Sequence, residues 1–330
     1  MDKFWISPIN KVNLQKLLIK TAYIPGCLNI PIILSGYVTD EEIIPAQYLP
    51  VSRPTPVEYI ESLTSKVEEA DDRLVVHCAY EISCGSTRLL VISYDTDTVT
   101  RLLYFFSEFQ KRGLKELWVE FGKGERKRYL PLHILAERLG QELCRVVVKA
   151  HILTGDDSIS KIGTKHASLL CDPQNLLVSF GESSEITEDE IEKAEKYLVD
   201  VWAGVRAKTK CKTFNQLRLQ NITSSTPKPL NSHPPTSSVI RGHLKRSYYV
   251  IKNVVNLLNN PNISLDPLNY CWILDNDMLV PEKCLNPLPA ELSVICRCTG
   301  KCSTNICSCK RNSQECVIYC HKQNNVQCTN

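Results

Sequence analysis

Between Cys296 and Cys328 the chain carries eight of its 16 cysteines, in the order Cys296-x-Cys298-x3-Cys302-x4-Cys307-x-Cys309-x6-Cys316-x3-Cys320, followed by Cys328. Loops this short leave no room for an apolar core, so the segment folds only around cross-links. Met1-Asp2-Lys3-Phe4-Trp5 leads into no apolar run of the secretory kind, so reduced thiols are expected rather than disulfides. Thiolates that bind Zn²⁺ turn binding free energy into folding free energy. The expectation is a zinc-bound module over 291–330 with these eight cysteines as ligands. The remaining cysteines are scattered singly, and Cys27, Cys78, Cys84, Cys144 and Cys171 are expected to pack as small buried hydrophobes.

Charge is distributed as unevenly as cysteine. The formal net charge of +3 hides an acidic segment at 182–200 and a stretch from Val201 to Leu265 with ten Lys and Arg and no Asp or Glu. The basic part, including Lys208, Lys210 and Lys212, fits either a nucleic-acid contact driven by counterion release or a solvated loop and helix face. No apolar stretch is long enough to span a membrane. With 43% hydrophobic and 23% charged residues, the 330-residue chain has material for two globular domains and a small module.

Along the chain, residues 31–38 read as a short buried strand, and the proline-bearing 46–60 as a loop or edge segment. Helical spacing over 66–82, an apolar run at 87–94, an amphipathic pattern over 98–111 closed by Gly113, and a run at 115–121 give helix, strand, helix, strand. Helices are expected near 131–139 and 141–153, each ending before a glycine. Such alternation implies parallel strands. Residues 1–155 are therefore read as an α/β domain and 156–260 as a helical region. The latter holds one strand at Leu176–Phe180, a helix from a capping box at Thr187 to Gly204, a flexible loop at 222–238 and a helix over 243–258. Residues 261–290 connect to the cysteine module.

Acidic clusters fall at one edge of the α/β part: Glu68, Glu69, Asp71 and Asp72, then Asp95 and Asp97, then Asp156 and Asp157. Open parallel sheets bind ligands beyond the carboxyl ends of their strands. Convergent carboxylates suit hard Mg²⁺ or Mn²⁺ ions, and two such ions activate water against a phosphodiester. Each cluster also has an ordinary structural reading, as a helix-dipole partner or a turn residue. His77, His133 and His151 read as packing or hydrogen-bonding groups rather than ligands.

Glu69-Ala70-Asp71, Asp95-Thr96-Asp97 and Leu153-Thr154-Gly155-Asp156-Asp157 resemble the PIN-like nucleases of the flap-endonuclease class. In that class these motifs bind two metals, which implies Glu69, Asp71, Asp95, Asp97 and Asp157 as Mg²⁺ or Mn²⁺ ligands gathered in one cleft. Ile162-Gly163-Thr164-Lys165-His166-Ala167 resembles the core of the helix-two-turn-helix element of the same class, implying phosphate contacts from Gly163 and Lys165. With Arg128-Tyr129-Leu130-Pro131-Leu132-His133 and Ala150-His151-Ile152-Leu153-Thr154-Gly155, the chain from about Ser7 onward is similar to a group of animal proteins linked to mobile elements, with a PIN-like domain and a cysteine-rich end. The resemblance implies a three-layer α/β fold with a parallel sheet. Three departures stand out. The chain starts after the first strand of the class, which supplies a further Asp. Asp156 stands where the group has Cys, and Thr98 and Thr100 replace an aliphatic run.

The tail resembles the CXC modules of tesmin-like chromatin proteins, in which nine cysteines hold three zincs with some thiolates bridging. Lys322 stands at the ninth position, and the adjacent His321 offers an imidazole in its place. Arg297, Lys301, Lys310 and Arg311 give the module a basic character suited to phosphate. Two functions are thus expected in competition, in a nuclear, intracellular setting. One is metal-dependent cleavage of DNA or RNA, with catalysis weak or lost. The other is zinc-dependent binding of nucleic acid, DNA rather than RNA, without cleavage.

Overall fold

The computed structural model describes residues 30–38, 43–50, 58–64, 67, 69–163, 175–204, 209–223, 233–259, 265–276, 278–284, 296, 298, 302–313 and 316, with 10, 13, 14, 16 and 17. The chain divides into two compact units, Met1–Cys144 with Asn253–Ser264 and Arg145–Lys252 with Leu265–Asn330. The described residues form a mixed α/β structure with seven α-helices and several small sheets.

The first unit opens with β1 (Ile32–Leu34), β2 (Tyr37–Val38), β3 (Ile43–Ile44), β4 (Ala46–Leu49) and β5 (Glu58–Ile60). They make two antiparallel sheets, β1-β4-β5 and β2-β3. The single strand expected over 31–38 is interrupted at Ser35-Gly36, where the Gly36 carbonyl accepts a hydrogen bond from Arg73 Nη1 at 2.7 Å. In the segment read as a loop or edge segment, β5 is an edge strand but β4 is the middle strand of its sheet, and Pro50 follows β4 and so ends it without breaking its ladder.

Next come α1 (Ala70–Ser83), β6 (Arg88–Ile92), α2 (Thr96–Lys111), β7 (Glu116–Phe121), β8 (Arg128–Pro131) and α3 (Leu132–Leu153), whose residues from Arg145 onward belong to the second unit. Strands β6 and β7 pair in parallel, with Leu90 opposite Trp118 and Ile92 opposite Glu120. The helix between them makes this possible, since parallel neighbours need a crossover. Only a short turn joins β7 to β8, so β8 runs antiparallel. The sheet is therefore mixed, with one parallel pair among the described residues, rather than a parallel sheet throughout.

Helix α2 buries Leu102, Leu103, Phe105, Phe106 and Phe109 and packs on α1. Val91, Leu117 and Val119 are buried along the sheet. On the alternate positions Leu90 and Ile92 are 55% and 59% exposed, so among the described residues this side of β6 faces solvent. Gly140 has φ 78° and ψ 159° inside α3 and divides it into the two helical segments expected from sequence.

The second unit contains α4 (Glu188–Ala203), α5 (Phe214–Thr223), α6 (Ser237–Val255), the hairpin β9 (Trp272–Asp275) and β10 (Met278–Pro281), and α7 (Ser308–Arg311). The capping box is present: Thr187 accepts from the Glu190 amide, Glu190 accepts from the Thr187 amide, and α4 ends before Gly204. Leu176–Phe180 forms turns, not a strand. Leu177 and Phe180 are buried there, and the Phe180 ring meets Tyr248 edge-on at 5.5 Å. A short apolar run fits a buried turn as well as a strand. Lys149, fully buried, holds this turn region by donating to the Val178 carbonyl and to Glu182 Oε1, each at 2.7 Å.

Helix α6 begins at Ser237, earlier than expected, and α5 was not foreseen. Both starts depend on the buried Glu195. Its Oε1 accepts the Phe214 amide at 2.8 Å and the Ser237 hydroxyl at 2.6 Å. Glu195→Ala would strand both donors in a buried setting, where each unmet group costs about 1–3 kcal/mol. We expect a lower urea midpoint with α5 and α6 amides exchanging faster. Unchanged stability would show that water replaces the carboxylate.

Candidate metal centre and carboxylate cluster

Cysteines 296, 302, 307 and 309 are buried, with Cys298 and Cys316 partly buried against them. Sulfur–sulfur distances are 3.7 Å for Cys296–Cys302, Cys296–Cys316 and Cys307–Cys316. A disulfide would require about 2.05 Å. A tetrahedral zinc with Zn–S near 2.3 Å has S···S edges of about 3.8 Å. Two groups of four thiols lie within 4.8 Å of one another and could each hold an ion. An all-sulfur donor set of this geometry fits Zn²⁺.

The local chain prepares these thiols. Cys307 precedes α7, and the Lys310 amide donates to its sulfur as the Cys298 amide does to that of Cys296. Burial raises the Cys307 thiol, but the Lys310 amide and the neighbouring thiols outweigh it and bring its pKa down to about 6. Burial and Cys307 raise the Cys296 thiol, but the Cys298 amide with the Cys316 and Cys302 thiols outweighs them and lowers it. Thiolate character is what a metal ligand needs. Lys310 donates to the Ser303 carbonyl at 2.6 Å, and Arg311 to those of Asn305 and Ile306 at 3.3 and 3.4 Å. These two side chains thus brace the loop between the cysteines. Cys320, His321, Cys328, Arg297 and Lys301 lie outside the described residues.

In the first unit the carboxylates stand where α1 and α2 begin. Asp95 caps α2, accepting the Asp97 amide at 3.0 Å. Thr98 donates to Asp71 and shares a 2.7 Å hydrogen bond with Ser93, tying the two helix starts together. Thr100 donates to the Asp97 carbonyl at 2.9 Å. Thr98 and Thr100 therefore have local structural tasks. Arg101, buried, pairs with Asp72 at 2.5 Å and with Asp97 at 3.4 Å. Burial raises the Asp71 carboxyl; Thr98 and Arg101 oppose this, and the charges of Asp95 and Asp97 add to it. Burial raises Asp72 to about 6 despite Arg101. Glu69 is exposed and precedes α1.

Among the described residues of this unit, no three carboxylates bring their oxygens within 4.8 Å of one another. Asp72 and Arg101 were not among the candidate site residues. Arg101, one helical turn beyond Asp97, was the available signal.

Asp157 belongs to the second unit and is exposed. Its neighbour Asp156 turns inward, accepting the Ser158 amide at 3.0 Å and the Ile159 amide at 2.9 Å through one oxygen. Gly155 has φ 108°, and a Cβ there would meet Lys161 Cα at 2.5 Å, so this turn itself requires glycine. Gly163 is likewise close to Val201. Lys165 and Lys208 fall outside the described residues, as does most of the expected helix-two-turn-helix element.

Lys210 and Lys212 are exposed. Other cations of the basic stretch have internal partners. Arg241 pairs with Glu188, Arg218 donates to the Pro234 carbonyl, Lys252 to that of Ser183, and Arg246 to that of Cys271. His133 hydrogen-bonds the Leu117 backbone and packs edge-on against Trp118, in keeping with a packing role. Cys78 and Cys144 are buried as expected, whereas Cys84, just past the end of α1, is exposed. No helix among the described residues is long and apolar enough to cross a membrane.

The raised Asp72 carboxyl gives a pH test. A group whose pKa is higher folded than unfolded stabilises the fold at low pH and loses that contribution as pH rises through the folded value. Asp72 should lose it between about 3.8 and about 6. Asp72→Asn should therefore remove one downward component of stability over that range. Denaturation curves with parallel pH profiles in both proteins would contradict this.

No family model, no curated protein and no solved structure matches this chain.

Proposed function

We propose that this chain is a zinc-dependent nucleic-acid-binding protein, with DNA rather than RNA as its target, whose first unit is a PIN-like nuclease scaffold with weak or absent cleavage. The observation that carries the reading is the thiol cluster with sulfur spacings of 3.7 Å. Zinc there would fold a segment that has little apolar core of its own. The resemblance of this segment to CXC modules supports DNA as the target and the nucleus as the place. Exposed Lys210 and Lys212 supply cations toward phosphate, with Lys165, Lys208, Arg297 and Lys301 as further candidates from the sequence. Lys310 and Arg311, which brace the cysteine loop through its carbonyls, are further basic groups beside the cluster.

Cleavage is the second reading, favoured by Asp71, Asp95 and Asp97 standing together at the starts of α1 and α2. In it Glu69, Asp71, Asp95, Asp97 and Asp157 take Mg²⁺ or Mn²⁺, the ions activate a water, and Gly163 and Lys165 hold the backbone. Weak cleavage follows from Arg101, because a buried guanidinium is already paired with Asp97 and Asp72 and its charge opposes a cation there.

Zinc should co-purify with the full chain, and a chelator should melt the cysteine module before the rest. Elemental analysis without zinc, together with disulfides by mass spectrometry, would overturn the zinc reading. DNA binding should weaken steeply with salt. The paired change Lys210→Ala and Lys212→Ala should lower the slope of log K against log salt by about two, roughly one for each phosphate contact. Salt-independent binding, or none, would remove the nucleic-acid reading.

If Mg²⁺ or Mn²⁺ does support cleavage, Asp95→Asn should abolish it and leave binding intact. Cleavage that survives this change places the activity elsewhere.

A further inference from the structure

The two thiol groups overlap. One comprises Cys296, Cys298, Cys302 and Cys307, the other Cys296, Cys307, Cys309 and Cys316. Two tetrahedral ions need eight sulfur contacts, and the six described thiols supply eight only if two of them serve both ions. Cys296 and Cys307 are the pair common to both groups. We propose that the module holds a two-zinc cluster in which Cys296 and Cys307 bridge the ions. Cys298 and Cys302 complete one ion, and Cys309 and Cys316 complete the other. This rests on the zinc reading above and departs from the three-zinc arrangement that the CXC resemblance implies.

The distances support sharing. Cys296 lies 3.7 Å from Cys302 in one group and 3.7 Å from Cys316 in the other. Cys307 lies 3.7 Å from Cys316. Each group therefore has an edge of tetrahedral length, and Cys296 takes part in both. Cys296 and Cys307 are 1% and 2% exposed, as suits sulfurs in the middle of a cluster, and the terminal Cys298 and Cys316 are only partly buried; the terminal Cys309 is as deeply buried as the bridging pair, at 1%.

The sequence has the matching form. Each bridging residue opens a Cys-x-Cys pair, and a later cysteine closes each half: Cys296-x-Cys298-x3-Cys302, then Cys307-x-Cys309-x6-Cys316. Charge also favours sharing. Two dications on six thiolates leave a net charge of about −2, whereas two unbridged ions would need eight thiolates and leave about −4. A single ion in the first group would leave Cys309, 1% exposed, without a metal beside it.

The test uses the full chain. Native mass spectrometry of the zinc-loaded protein should count two ions. After exchange with ¹¹³Cd²⁺, proton–cadmium correlation spectra should show the β-protons of Cys296 and Cys307 coupled to both cadmium signals. Those of Cys298, Cys302, Cys309 and Cys316 should each couple to one. One ion per chain, a third ion held through Cys320 or Cys328, or single couplings at Cys296 and Cys307 would each overturn the bridged cluster while leaving a zinc site in place. No bound metal at all would overturn the zinc reading as well.

Discussion

Arg101 is the charge on which the carboxylate end of the first unit depends. Asp71, Asp72 and Asp97 are drawn partly or wholly out of water where α1 and α2 begin. Like charges in such a place repel, and burial penalises each of them. The guanidinium meets Asp72 and Asp97 together, and its own charged form is held on by them against desolvation. A divalent ion would do the same electrostatic work. The pattern of acids that suggests a metal site is thus also the pattern that a buried arginine requires. An ion entering beside Asp97 would have to displace Arg101 or accept its repulsion.

The thiol cluster presents the opposite case. Six cysteines crowd together, and Lys310 and Arg311, the cations next to them among the described residues, direct their side chains to loop carbonyls. Elsewhere the second unit meets each buried charge with a named partner, Lys149 with Glu182 and Glu195 with two helix starts. The thiols meet amides and one another. Crowded sulfurs with thiolate character suit a metal as counter-charge, while the first unit has a buried arginine beside its acids.

Much of the fold was legible because local rules and burial agreed. The apolar spacing of α2, the capping box at Thr187 and the break at Gly140 all appear where the sequence places them. Failures came where a distant partner decided the outcome. Helix α5 has little amphipathic signal of its own, and its start is held by Glu195, many residues away. The turn around Leu177 and Phe180 is shaped by Lys149 and Tyr248, neither of which a local pattern contains. In the candidate sites the cysteine spacing was readable since short loops force the ligands together. The acids were readable as a group at the helix starts, but not their neutralisation, since a pattern of carboxylates does not reveal which cation faces them.

Charge counting along the chain carries the same lesson for nucleic-acid affinity. Ten cations without an acid between Val201 and Leu265 suggest a strong electrostatic surface. Counterion release, however, rewards only charges that can approach a phosphate. Arg241 lies on Glu188, and Arg218, Arg246 and Lys252 are committed to carbonyls of their own unit. Moving any of these to a phosphate would trade an existing partner for a new one and expose the helix contact it supports. Their contribution to binding is the remaining long-range potential, which is screened within about 10 Å at 0.1 M salt. Among the described residues, the exposed Lys210 and Lys212 have no ion pair of this kind to give up. If the second unit binds nucleic acid, its affinity should therefore follow a few exposed lysines and the cations of the cysteine module, rather than the total number of basic residues.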